Sequence, residues 1–114
     1  MLVTQASLSS TDNVDDPKIQ KKVRVEFQGL THRQILKQWE ATSEIIQKVA
    51  KDKGVLLING YSKVPHDLEH LQDHVHLTEA GDQKLGDIIF KELSSNPRLD
   101  NMLKGRSEAN QKLN

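Results

Sequence analysis

The chain has 114 residues, 16 Lys plus Arg against 16 Asp plus Glu, and no cysteine. The length fits one domain. Zero net charge argues against a nucleic-acid protein, which usually carries a basic face, and the missing cysteines exclude disulfides, thiolate metal sites and cysteine nucleophiles.

The hydrophobic fraction of 35% predicts a thin core. The longest apolar run, Val55-Leu56-Leu57-Ile58, is too short to cross a membrane. The opening Met1-Leu2-Val3-Thr4-Gln5 lacks the basic and apolar regions of a signal peptide. Cytoplasm is the default location, and the absence of cysteine fits it.

Residues 2–5 form the first strand candidate. Residues 9–22 are polar and turn-rich, which predicts a surface loop. Its aspartates, Asp12, Asp15 and Asp16, lack the Gly and distal Glu of a calcium loop. Val23, Val25 and Phe27 alternate with polar residues over 23–28, the period of a short half-buried strand.

The clearest element follows. Ile35, Leu36, Trp39, Thr42, Ile45, Ile46, Val49 and Ala50 recur at helical spacing. Thr31 and Gln34 form a capping-box pattern at the start, and Gly54 suits the left-handed residue that closes the helix. Val55–Ile58 is apolar throughout, as expected of a strand covered on both faces of a parallel sheet.

A second helix is predicted from Glu79 to Leu93, with Thr78 as its N-cap and Leu85, Ile88, Ile89 and Leu93 as its stripe. Gly81 and Gly86 weaken it, and Asn96-Pro97 ends it. Leu99, Met102 and Leu103 allow one weak amphipathic turn in a mobile polar tail. The expected organisation is a domain over 1–94 and a tail over 95–114. Strands alternating with amphipathic helices predict an α/β fold with a parallel sheet. Two good helices cannot cover both faces of such a sheet, so the fold reads as incomplete.

Four of the five histidines, His66, His70, His74 and His76, crowd into the segment before the last helix. Three readings apply. His66, His70 and His74 are spaced i, i+4, i+8, so a helix would bring them to one face as metal ligands. The bland reading makes each an exposed loop histidine without a role. The third is an acid–base pair: Asp73 and His76 are three positions apart, so a tight turn brings the carboxylate to one imidazole nitrogen and leaves the other to take a proton from a hydroxyl nucleophile.

Asp73-His74-Val75-His76-Leu77-Thr78-Glu79-Ala80-Gly81 resembles the C-terminal signature of the SGNH (GDSL-type) hydrolases, an Asp-x-x-His-Leu-Thr-x-x-Gly element that opens the final helix. Leu2-Val3-Thr4-Gln5, the helix with Trp39, and Lys53–Gly60 are similar to that family's preceding elements. The resemblance implies the C-terminal part of a three-layer α/β/α, flavodoxin-like sandwich with a parallel sheet. It implies hydrolysis of small-molecule esters by a Ser-His-Asp triad, with His76 as general base, Asp73 as its orienting partner, and neither cofactor nor metal. No Gly-Asp-Ser, Gly-x-Ser-x-Gly or Gly-x-Asn-Asp occurs, so the nucleophile and oxyanion donors are missing. The expectation is therefore a C-terminal fragment, with Met1 falling at a central strand, inactive alone. The alternative is a non-enzymatic interaction module or a remnant of a truncated gene, in which an exposed sheet edge offers a route to self-association.

Overall fold

The computed structural model describes residues 1–24 and 29–113. It is mixed α/β and mostly helical. In chain order the elements are β1 (Leu2–Val3), α1 (Pro17–Arg24), α2 (His32–Lys53), β2 (Leu57–Ile58), α3 (Gly60–Lys63), α4 (Glu79–Ser94) and α5 (Pro97–Leu113). β1 and β2 pair in parallel, Leu2 with Leu57 and Val3 with Ile58. Leu2 N–H donates to Leu56 O at 2.8 Å and Thr4 N–H to Ile58 O at 2.9 Å. Parallel strands need a crossover, and here it carries α1 and α2.

The two long predicted helices form with their predicted caps. Thr31 Oγ1 accepts the Gln34 amide while Gln34 Oε1 accepts the Thr31 amide, the reciprocal box. Gly54 closes α2 at φ 63°, a region in which a side chain is strained. Thr78 Oγ1 accepts the Gly81 amide at the start of α4. Glu79 and Asp82 in its first turn suit the positive end of the helix dipole.

Four expectations need correction. Residues 9–22 are not all loop: α1 begins at Pro17, where a fixed φ suits the first helical position and the missing N–H costs nothing. Asp16 Oδ1 accepts the Lys18 amide, and Ile19 and Val23, one turn apart, enter the core. The strand expected over 23–28 is therefore helix at Val23 and Arg24, and its remainder lies outside the described residues. Val55–Ile58 is not covered throughout, since Ile58 is fully buried but Val55 is exposed. The expected weak turn near Leu99 is the 17-residue helix α5.

The core gathers Leu8, Ile19, Val23, Ile35, Ile58, Val64, Leu71 and Ile88. Beyond Ser43 the apolar stripe of α2 is only partly used: Ala50 is buried, but Ile45 and Val49 are exposed.

Candidate active site

The site segment, 65–78, runs from α3 to α4 as successive turns. It is not a helix, so the i, i+4, i+8 face expected for His66, His70 and His74 does not form. The three rings go to different places. His66 Nδ1 bonds the Ser7 carbonyl at 2.6 Å. His70 Nδ1 bonds Asp67 Oδ1 at 2.6 Å. His74 is fully buried, which corrects its reading as an exposed loop histidine. Asp67, Glu69 and His70 group their ligand atoms within 4.8 Å; the bond between Asp67 and His70 accounts for two of the three, and Glu69 is exposed.

The backbone closes this segment onto itself. Leu71 and Leu77 form an antiparallel bridge, Gln72 N–H donates to His76 O, and Thr78 N–H donates to His70 O. Gly81 packs on the same His70 carbonyl so closely that a Cβ would overlap it. The glycine of the resembled element thus makes a close approach to the loop. Gly86 has open space around its Cβ position and makes none.

Asp73 and His76 come together as expected. His76 Nδ1 lies 2.8 Å from Asp73 Oδ2 and 3.0 Å from Oδ1. Asp73 Oδ1 also accepts the amides of Val75 and His76, at 3.0 and 2.9 Å. Partial burial would push this carboxylate up, but the two amides and the His76 ring outweigh it and bring it down to about 2. In the neutral ring, a carboxylate bonded to Nδ1 makes that nitrogen the proton carrier and leaves the lone pair on Nε2. The His76 side chain is 72% exposed, which leaves Nε2 accessible.

Sequence reasoning missed a second, buried constellation. His74 Nε2 lies 3.2 Å from Ser7 Oγ, and the His74 ring meets Trp39 edge-on with centroids 4.6 Å apart. His32 bonds the Val14 carbonyl through Nδ1 and Ser9 Oγ, at 2.9 Å, through Nε2. The Ser9 amide donates to Ser7 Oγ. Burial lowers His74 to about 4, aided by the nearby His32 and opposed by Asp73. Burial likewise lowers His32, against the Val14 bond and Asp15. Both rings are neutral at pH 7. A Ser-rich stretch such as Ser7-Leu8-Ser9-Ser10 reads as loop, and only the partners 23 and 67 residues away reveal its burial.

An apolar groove of about 560 Å³ opens between the ends of α2, α4 and α5. No residue of 65–81 lines it, so it is not a pocket for His76. Among the described residues no serine hydroxyl bonds His76, and no helix is long and apolar enough to cross a membrane. No family model matches the chain, and no curated protein or solved structure matches it.

Proposed function

We propose that residues 73–81 supply the general base and its orienting carboxylate to a serine ester-hydrolase site, with the nucleophile and oxyanion donors provided by protein outside these 114 residues. The observation that supports it most is the Asp73–His76 pair: Nδ1 is held by the carboxylate in a side chain that is largely exposed.

The chemistry follows from that pair. His76 Nε2 takes the serine hydroxyl proton as the oxygen attacks the ester carbonyl carbon. The tetrahedral intermediate collapses, and the imidazolium returns the proton to the departing alkoxide. Water then repeats the cycle on the acyl-serine and releases the acid. Asp73 stabilises the imidazolium and stays ionised throughout, as its depressed pKa of about 2 requires.

The test uses the native protein that carries this chain, exposed to a fluorophosphonate probe that phosphonylates activated serines. Labelling is expected in the native form, lost in His76→Ala and kept in His70→Ala. Equal loss in both replacements, or full labelling of His76→Ala, would refute the assignment.

A second reading draws on the sheet. β1 pairs only with β2 among the described strands, and Val3 is exposed beside it, as are Ile45 and Val49 on α2. An interaction module would use that open edge, for self-association or for a partner strand. It predicts a folded chain whose sedimentation changes with concentration or partner, and no probe labelling in any form of the protein.

A further inference from the structure

We infer that His74 is the positioning residue of the Asp73–His76 pair: clamped between Ser7 and Trp39, it pins the middle of the turn so that Asp73 stays on His76 Nδ1. Its meaning for catalysis rests on the function proposed above, but the geometry that carries it does not.

His74 follows Asp73 directly and precedes His76 by two positions. It is held at both its backbone and its ring. Its carbonyl accepts the Leu8 amide at 2.9 Å. Its Nε2 lies 3.2 Å from Ser7 Oγ, and its ring stands edge-on against Trp39 at an interplanar angle of 77°. These anchors belong to the segment after β1 and to α2, so the turn is fixed to two distant parts of the chain. Trp39 is itself tied to the β1 segment by its indole N–H on the Gln5 carbonyl at 3.3 Å.

The clamp also suits a neutral ring. Ser7 Oγ accepts the Ser9 amide at 3.1 Å and keeps both a proton and a second lone pair, so it bonds His74 Nε2 in either neutral tautomer. Complete burial keeps the ring neutral. On the outer side of the turn, Asp73 Oδ1 receives the Val75 and His76 amides only while the backbone holds its bend. Releasing His74 frees that bend, and the carboxylate then loses its fixed approach to the imidazole.

The readout is the neutral-form tautomer of His76, measured on the whole chain by long-range proton–nitrogen correlation of the imidazole. A purely packing role would leave it unchanged. In the wild-type chain His76 is expected to carry its proton on Nδ1. In Ser7→Ala and in His74→Phe, which keeps an aromatic ring against Trp39, the Nδ1-H to Nε2-H ratio is expected to fall by about fivefold, the size of one net hydrogen bond. His70, held by Asp67 in a separate turn, is expected to keep its tautomer in both. Ser7→Ala removes a single oxygen, so it decides the matter should His74→Phe fail to fold. An unchanged His76 tautomer in folded Ser7→Ala overturns the inference and leaves the hydrolase reading standing. A shifted tautomer, in a native protein that no serine probe labels, retires the hydrolase reading and leaves the positioning role intact.

Discussion

Two turns in the same segment are built alike and differ in how far the imidazole is exposed. In each, an aspartate bonds the ring of a histidine three residues on: Asp67 with His70, Asp73 with His76. In each, the aspartate Oδ1 accepts that histidine's own amide, at 3.0 and 2.9 Å. Exposure separates them. The His70 side chain is 15% exposed and its carbonyl supports both Thr78 N–H and Gly81, whereas the His76 side chain is 72% exposed. The same local bond therefore lies against the fold in one turn and leaves an exposed imidazole in the other. An Asp-x-x-His spacing alone does not distinguish them; the packing around the imidazole does.

The largest effect expected from that contrast is on catalysis. In the native protein, Asp73→Asn should lower ester turnover by about 10⁴-fold, through loss of the correct tautomer. Asp67→Asn should change it by no more than a few-fold. A comparable loss in Asp67→Asn, in steady-state assays of folded variants, would erase the distinction.

Stability should show the reverse pattern. Gly81→Ala should destabilise the fold by about 3 kcal/mol, because its Cβ overlaps the His70 carbonyl and neither backbone can yield cheaply. Gly86→Ala, with nothing near its Cβ position, should stabilise by about 0.5–1 kcal/mol. Urea titration of the two variants gives both signs in one experiment.

Acid should act through the buried rings. An unfolded His74 takes a proton near 6.5 and the folded one only near 4. Between those values the unfolded chain binds more protons, so stability is whole above pH 6.5 and falls as pH drops towards 4. The loss approaches about 3 kcal/mol. His32, lowered for the same first reason, adds in the same direction. Asp73 adds a separate loss only below 3.8, as pH approaches its folded value of about 2. Denaturation midpoints from pH 7 to 4.5 should fall steeply in the wild type and less steeply in His74→Phe. Parallel slopes would contradict this origin.

Smaller still is the stability cost of removing each ring. His70→Ala should lose about 1–3 kcal/mol, because a mostly buried bonded side chain disappears. His76→Ala should lose no more than about 0.5 kcal/mol, as for other exposed positions.

Local chemistry was legible in the sequence where it is local. The Thr31–Gln34 box, the Gly54 closure and the Thr78 cap each reach no more than four positions along the chain, and all are present. The Asp73–His76 bond is of the same kind. α1 was not legible because its core contacts, Ile19 and Val23, give two apolar points among lysines, and Val23 also begins the misleading alternation towards Phe27. Neither was the burial of His32 and His74, which depends on Ser7, Ser9, Val14 and Trp39 arriving from other elements. Polar residues satisfied by distant partners look, in sequence, like solvated loop.

The central claim is that the pair with the exposed imidazole, and not its counterpart with the mostly covered one, does chemistry. The most direct test compares kcat/KM of the native protein on a short-chain p-nitrophenyl ester at pH 7 with that of His76→Ala and His70→Ala. The account predicts a loss of about 10³-fold or more in His76→Ala and a change within a few-fold in His70→Ala. Equal losses, or unimpaired turnover in His76→Ala, would contradict it.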